Sequence, residues 1–175
     1  AYCGGGNYSR DGVLNIIKSF IEICKINNYV NLFLIGPIKK SDIYFNSMKT
    51  LVENSKYNNR IKFLGKISSE KVPQFLKNSH CLIMAPQRDF ISGGFPTKLG
   101  EYIATGNPVI CTDVSEIPAY LNKNEIIYAK PNDGDSIFNA IKFVIENPEK
   151  AKKIGYNGYL KSKKVFNILT YSKDF

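Results

Sequence analysis

The sequence contains few of the residues that build metal sites and disulfides. Its 175 residues include a single histidine, His80, and four cysteines without C-x-x-C spacing. Because no cluster of ligand side chains surrounds His80, we expect no metal site. The cysteines lie within apolar runs and are expected to be free, buried thiols in a reducing compartment. They are Cys3, Cys24, Cys81 and Cys111.

Long apolar runs are missing as well. No run approaches the roughly 18 residues that a membrane-spanning helix needs. No basic segment followed by an apolar run opens the sequence, so we expect no secretory signal and a cytoplasmic protein. Because the sequence begins at Ala1 inside a strand-like run and without an initiator methionine, we expect an excised fragment of a longer protein.

The 15 acidic residues are outnumbered by 24 lysines and arginines, which gives a net charge of +9. This excess favours an anionic partner, such as nucleotide phosphates, an acidic membrane surface or nucleic acid. The densest basic stretch, residues 148–166, is interpreted either as a solvated helix face or as a peripheral contact with an anionic membrane. No helix-turn-helix, zinc-finger or RNA-binding signature accompanies the charge, so we expect no nucleic-acid binding.

Strand-like and helix-like patterns alternate along the whole sequence. Such alternation indicates an α/β fold with a Rossmann-like parallel sheet of about six strands and helices on both faces. Because the sequence shows no linker or repeat, we predict one domain over residues 1–175, with a core at 1–150 and a basic helical tail at 151–175. The predicted strands are 1–3, 30–36, 60–65, 80–86, 108–112 and 125–129.

The spacing of apolar residues predicts which helix faces are buried. The first helix is expected to bury Val13, Ile16, Ile17, Phe20 and Cys24. The second is expected to begin at a Ser41 cap and to bury Tyr44, Met48, Leu51 and Val52. The last strong helix, from 135 to 146, is expected to bury Ile137, Ile141, Val144 and Ile145.

Ligands of open parallel sheets bind at the carboxyl ends of the strands. Here those ends lead into the loops 4–12, 36–41, 65–69 and 86–98. The first loop combines three consecutive glycines with the triplet Arg10-Asp11-Gly12, which would suit a phosphate. It matches neither the Walker pattern nor the spacing of G-x-G-x-x-G, so a plain glycine-rich turn is the alternative.

The stretch GGFPTKLGEYIATGNPVI, residues 93–110, contains a short helix with two distinct faces. Thr97 is the expected N-cap, and Leu99, Tyr102 and Ile103 form the expected buried side. Lys98 and Glu101 share another face, where the carboxylate could accept hydrogen bonds from a ribose diol and the lysine could neutralise phosphate. The alternative is an exposed i, i+3 ion pair that contributes about 0.5 kcal/mol, and the spacing leaves both interpretations open.

The longer segment 93–121 resembles the donor-binding motif of family 4 retaining glycosyltransferases, which have the two-domain GT-B fold. The segments 2–20, 31–37, 60–86 and 130–158 resemble the other parts of that family's donor domain and follow the same order. The resemblance covers nearly the whole chain. It implies the carboxyl-terminal, nucleotide-sugar-binding half of such an enzyme, without the amino-terminal acceptor domain.

The resemblance also implies roles for individual residues. Glu101 falls on the second glutamate of the family's E-x7-E motif, which binds the donor ribose. Gly93 stands where the first glutamate is expected, so the direct carboxylate role at that position is missing. The loop whose backbone faces the donor sugar and diphosphate corresponds to Gly94, Phe95, Pro96 and Thr97.

Further positions of the family pattern fall at the ends of the first and third predicted strands. Arg10 takes the place of a phosphate-binding lysine. Gly4 and Gly5 belong to the phosphate loop, and Gly5 replaces an arginine that is often found there. Gly65 and Lys66 fall where the backbone meets the base.

The implied function is transfer of a sugar from a UDP- or GDP-sugar to a saccharide or lipid-linked acceptor. Arg10 and Lys98, with the N-terminus of the helix, would stabilise the diphosphate leaving group without metal or cofactor. We expect the fragment alone to be inactive. One alternative is a GT-B nucleotide-sugar 2-epimerase, which the scarcity of histidine and acidic residues disfavours. The other is a non-catalytic nucleotide-sugar-binding module, which Gly93 favours.

Overall fold

The computed structural model describes residues 1–5, 8–37, 41–88 and 95–165. Within these residues six parallel strands alternate with helices, as the sequence predicts. The strands are β1 Tyr2–Cys3, β2 Leu32–Ile35, β3 Ile61–Gly65, β4 Leu82–Met84, β5 Val109–Thr112 and β6 Ile127–Ala129. The helices are α1 Val13–Ile26, α2 Ile43–Glu53, α3 Val72–Lys77, α4 Thr97–Ile103, α5 Ile117–Tyr120, α6 Gly134–Glu146 and α7 Pro148–Val165.

The strands form two parallel halves, β1-β2-β3 and β4-β5-β6, which meet at Ala1. The amino nitrogen of Ala1 donates to the Cys81 carbonyl at 2.6 Å, and the Ala1 carbonyl accepts from the Ile83 amide at 2.9 Å. The spatial order is therefore β3-β2-β1-β4-β5-β6, the order of a Rossmann fold. The order reverses between β1 and β4, which is where such sheets bind their ligands.

The two faces of the sheet bury two separate apolar cores. Tyr2 and Ile83 lie in the core beneath α1, α2 and α6, whereas Cys3 and Leu82 lie in the core beneath α3, α4 and α5. Successive residues of one strand point to opposite faces, so a strand covered on both faces must be apolar throughout. This explains the continuous apolar runs of the sequence and confirms the predicted fold class.

The long helix α7 crosses the amino ends of β5 and β6. A Cβ atom at Gly155 would lie 2.4 Å from the Asn107 carbonyl carbon, and one at Gly158 would lie 2.4 Å from the Glu125 oxygen. The two glycines therefore allow the helix backbone to approach these strand ends closely. The opposite face of α7 carries its lysines into solvent.

The structure corrects the predicted start of α2. Asp42, not Ser41, caps the helix, because its carboxylate accepts the amides of Tyr44 at 2.8 Å and Phe45 at 3.3 Å. Tyr44 is 54% exposed, whereas Phe45 is buried with Met48 and Val52. The inward stripe of the helix therefore follows the 45, 48, 52 spacing, and Tyr44 lies at the edge of this stripe, about 100° from Phe45.

Two other helices also differ from the expectation. Pro96, not Thr97, is the N-cap of α4, and its carbonyl accepts the Leu99 amide at 2.9 Å. In α6 only Ile137 of the four expected apolar residues is fully buried. The others are half-buried, because they line a groove at the amino end of the sheet; they are Ile141, Val144 and Ile145.

The prediction of free, buried thiols is confirmed with one difference. All four thiols are free, and Cys3, Cys24 and Cys111 are buried. Cys81 is only half-buried, since it lies at the amino end of β4 beside the same groove.

Candidate functional site

The candidate site lies at the carboxyl ends of β1 and β4, where the first loop approaches α4. Tyr102, within α4, is fully buried and holds the helix against β1. Its hydroxyl donates to the Cys3 carbonyl at 2.9 Å and accepts from the Cys3 amide at 2.6 Å. This pair of bonds fixes the neighbouring residue Glu101 beside the end of β1. Sequence spacing predicted that Tyr102 is buried, but not that its hydroxyl clamps α4.

Lys98 and Glu101 both lie close enough to the end of β1 for their charges to act on Cys3. Burial raises the pKa of the Cys3 thiol; the Lys98 charge opposes the rise and the Glu101 charge adds to it. Glu101 is exposed and Lys98 is half-buried. Among the described residues neither side chain makes an ion pair or hydrogen bond. The exposed i, i+3 pair that spacing allowed is therefore not formed.

The first loop rests on a buried carboxylate. Asp11 is 8% exposed and accepts a hydrogen bond from the Tyr2 hydroxyl at 2.7 Å. Burial and the neighbouring Asp11 charge raise the pKa of Tyr2. Asp11 also lies 3.3 Å from Nε of Arg10, whose side chain is 52% exposed. The guanidinium of Arg10 is thus held at the rim of the loop.

Main-chain bonds join the first loop to the segment that follows β4. The Ala85 amide donates to the Asp11 carbonyl at 3.3 Å, and the Gln87 amide donates to the Arg10 carbonyl at 3.2 Å. The carboxyl ends of β1 and β4 are thereby connected through Arg10 and Asp11. Sequence analysis missed this role of Asp11; the available signal was Tyr2, a tyrosine inside a buried strand whose hydroxyl needs a partner.

Other predicted residues lie along the same edge of the sheet. The Gly4 amide donates to Ile35 at 2.8 Å, and the Gly36 amide donates to Gly65 at 3.0 Å, so the glycine-bearing ends of β1, β2 and β3 form one row. Gly65 and the exposed Lys66 therefore lie two strands from Gly4, a separation of about 10 Å. A ligand that contacts both ends must span that distance.

Phe95, two residues before α4, packs on α5. The ring of Phe95 meets the ring of Tyr120 edge-on, with centroids 5.5 Å apart. Thr97 is exposed at the first position of α4, and Pro96 is half-buried before it. The predicted residues Gly93 and Gly94 lie outside the described residues.

The described residues contain neither a cluster of metal ligands nor a membrane-spanning helix. Within the described ranges, no group of three or more histidine, cysteine, aspartate or glutamate residues could hold a metal ion. No helix among the described residues is long and apolar enough to cross a membrane. His80 lies at the amino end of β4, opposite the candidate site.

Comparisons with known proteins agree with this architecture. The model of the family described as "Glycosyl transferases group 1" matches residues 6–161. No curated protein sequence shows significant similarity to the chain. A solved structure of the C-terminal domain of a glycosyl transferase group 1 family protein (LpcC) from Francisella tularensis has a TM-score of 0.84 and 20% identity. The match covers 95% of this chain and 85% of that one.

Two longer proteins contain a similar domain. Sucrose-phosphate synthase from Thermosynechococcus elongatus aligns with a TM-score of 0.84 at 20% identity, over 99% of this chain and 42% of its own. HepE from Anabaena, solved in complex with UDP, aligns with a TM-score of 0.86 at 16% identity, over 99% of this chain and 46% of its own. The chain thus spans less than half of either protein, and at these identities the likeness shows the fold alone.

Proposed function

Because the chain belongs to the glycosyl transferases group 1 family, we propose that it is the donor-binding half of a retaining glycosyltransferase that uses a UDP- or GDP-sugar. The observation that carries the proposal is the clamp between Tyr102 and Cys3, which supports a ligand-binding role for the neighbouring Glu101 at the end of β1. The UDP bound to HepE, a protein of similar fold, supports a nucleotide ligand. The acceptor would be a saccharide or a lipid-linked saccharide, as in polysaccharide biosynthesis.

In this proposal each described side chain acts through charge and hydrogen bonding. Glu101 accepts the ribose hydroxyls, and the Gly65–Lys66 backbone lies at the base. Arg10 and Lys98 neutralise the charge that develops on the departing diphosphate. In the proposed transfer these side chains carry the charge of the leaving group, and no role is assigned to a metal or cofactor.

We further propose that residues 1–175 form one domain, with 151–175 as a basic tail, in an enzyme with a separate amino-terminal domain that binds the acceptor. The length of the sucrose-phosphate synthase and HepE chains supports that division. Because the acceptor domain would complete the cleft, the chain alone should bind nucleotide and transfer no sugar. Sugar transfer by the isolated chain would contradict this division of labour.

A non-catalytic nucleotide-sugar-binding module is the second candidate. Gly93 supports it, since no carboxylate stands there to meet the donor sugar. A 2-epimerase has less support, because His80 lies at the amino end of β4 and brings no imidazole to the candidate site.

Calorimetry with UDP, GDP and uridine tests nucleotide binding. We expect UDP or GDP to bind more tightly than the nucleoside, because only the nucleotides reach Arg10. Arg10→Gln should weaken UDP binding by about tenfold, the loss of one charge-assisted bond, and leave uridine binding unchanged. Lys153→Gln, an equal charge change on exposed α7, is the control. If the wild-type chain binds no nucleotide, the proposed function is wrong; equal affinity for UDP and uridine would remove the diphosphate role of Arg10.

We also propose a peripheral position at the inner face of an anionic membrane, with α7 as the contact. Its exposed face carries lysines beside Tyr156, which is 56% exposed, and Leu160, which is 41% exposed. Lys163 Nζ lies 4.5 Å from the centroid of the Tyr159 ring. Basic and apolar side chains on one helix face are typical of helices that lie on anionic lipid surfaces. The exposed lysines of this face are Lys152, Lys153, Lys163 and Lys164.

Cosedimentation with phosphatidylserine vesicles tests this contact. Replacing Lys152, Lys163 and Lys164 with glutamine should weaken binding by about tenfold, since a lysine at an anionic surface contributes up to about 1 kcal/mol and salt screens part of it. The control carries the same substitutions at Lys18, Lys49 and Lys62. If both triple variants lose equal affinity, net charge alone drives binding and α7 is not the contact.

A further inference from the structure

A buried tyrosine anchors the first loop on the side of β2. Tyr8 follows the three consecutive glycines, yet it is only 4% exposed and belongs to the core beneath α1, α2 and α6. Its ring meets the ring of Phe45 in α2, with centroids 5.9 Å apart. Its hydroxyl donates to the carbonyl of Pro37, two residues beyond the end of β2, at 2.8 Å. This loop residue is therefore held both by the core and by a neighbouring strand end.

The first loop and the end of β2 approach each other closely at this anchor. A Cβ atom at Gly36 would lie 2.6 Å from the Gly4 carbonyl oxygen and 3.3 Å from the Tyr8 hydroxyl oxygen. Glycine at position 36 thus leaves the space in which the hydroxyl reaches Pro37. Burial and the Asp42 charge raise the pKa of Tyr8, so its hydroxyl remains a hydrogen-bond donor at neutral pH.

Tyr8 also begins the turn that contains Arg10. The Tyr8 carbonyl accepts the Val13 amide at 3.2 Å, which closes the turn. Within it, Arg10 lies between two buried side chains, Tyr8 bonded towards β2 and Asp11 bonded to Tyr2 in β1. The side chain of Arg10 is itself 52% exposed. The two buried neighbours therefore fix the main chain from which the guanidinium extends into solvent.

We propose that Tyr8 is a positioning residue, which orders the Arg10 turn before a diphosphate binds. The inference rests on the proposed function, since that function supplies the diphosphate that Arg10 would contact. A loop with three consecutive glycines loses much conformational entropy when it is ordered. If the fold has already ordered the loop, the ligand binds without that cost. The bond from Tyr8 to Pro37 contributes to this order although the buried tyrosine itself makes no contact with the ligand.

Tyr8→Phe tests the role of the hydroxyl, because it keeps the buried ring and removes one hydrogen bond. We expect UDP to bind about fivefold more weakly, the effect of one neutral hydrogen bond, and uridine to bind as before because it does not reach Arg10. The control is Tyr128→Phe in β6, whose hydroxyl donates to the Leu121 carbonyl, also at 2.8 Å. It should lose similar stability and no UDP affinity. An unchanged UDP affinity in Tyr8→Phe, or an equal loss in both variants, would overturn the proposal.

A double-mutant cycle tests whether Tyr8 acts through Arg10. In an Arg10→Gln background, Tyr8→Phe should weaken UDP binding no further, because no guanidinium remains to be positioned. A second fivefold loss in that background would mean that the two residues act independently, and the proposal would be wrong.

Amide hydrogen exchange tests the anchor without a nucleotide. The Val13 amide bonds to the Tyr8 carbonyl and the Gly12 amide bonds to the Ser9 carbonyl, so both report on the turn. In Tyr8→Phe both amides should exchange about fivefold faster, whereas the Ile110 amide within β5 should keep its rate. Unchanged rates at Gly12 and Val13 would refute the anchor. If the wild-type chain bound no UDP, the proposed function would be wrong, and the exchange rates would still decide whether Tyr8 orders the turn.

Discussion

Replacing Glu101 with alanine is expected to weaken UDP binding by about 30- to 100-fold, through loss of two charge-assisted hydrogen bonds to the ribose. The fold should not change, because Glu101 is exposed and makes no ion pair or hydrogen bond within the described part of the chain. Calorimetry measures the affinity, and thermal unfolding of the same samples measures the stability.

The matched control is Glu53→Ala, which removes an exposed glutamate from the far end of α2, where it pairs with Lys49 at 3.5 Å. A ribose contact makes a further distinction. Glu101→Ala should weaken uridine and UDP alike, whereas Arg10→Gln should weaken UDP alone. Glu101→Ala should also abolish the preference of the wild type for UDP over 2′-deoxy-UDP. An unchanged UDP affinity would leave Glu101 as an ordinary surface carboxylate.

The strands could be predicted because a sheet buried on both faces requires continuous apolar runs in the sequence. Most buried helix faces could be predicted from the regular spacing of their apolar residues. In β4, Leu82 and Ile83 point into different cores, so every residue of this strand is apolar and no alternation is seen. In β3 the exposed Lys62 and Leu64 alternate with Ile61 and Phe63, as expected of a strand with one side nearer to solvent. These signals depend only on where each side chain points.

The remaining features depend on contacts between distant parts of the chain. Aspartate and serine are both favoured N-cap residues, so the sequence does not choose between Asp42 and Ser41. Only the position at which α2 begins decides which of them is the cap. The Tyr2–Asp11 bond joins a strand to a loop, and the Tyr102–Cys3 bonds join residues 99 positions apart. The spacing of apolar residues predicts that a tyrosine side chain is buried, but the hydrogen-bond partner of its hydroxyl is determined by the tertiary structure.

Only part of the arrangement at the candidate site follows from the sequence, for a related reason. Glu101 and Lys98 lie on one short helix, so their common location follows from spacing. The position of Arg10 beside the segment that follows β4 requires the pairing of β1 with β4, which is set by the bonds of Ala1 to Cys81 and Ile83. Among the described residues Lys98 and Glu101 form no ion pair, which favours the ligand-site interpretation over the ion pair, since both charges are then available to a ligand.

Gly12→Ala is expected to destabilise the protein more than any other change considered. The residue has a φ of 64°, and an added Cβ atom would lie 1.9 Å from the Ala85 carbonyl oxygen. The left-handed conformation and the overlap together should cost about 3 kcal/mol, which lowers the melting temperature by about 9 °C for a chain of this size. Thermal unfolding measures the shift, and a shift below about 2 °C would contradict the close contact between the first loop and β4.

Gly5→Ala is the matched control, because it lies in the same loop but a Cβ atom there meets nothing within 4 Å. Its melting temperature should stay close to that of the wild type. Its UDP affinity should fall, because the added methyl group would occupy space that the proposed diphosphate needs. Loss of stability in Gly12→Ala would assign Gly12 to the contact between the first loop and the end of β4. Loss of affinity in Gly5→Ala would assign Gly5 to the ligand site. Equal stability and equal affinity in Gly5→Ala would instead favour a plain glycine-rich turn.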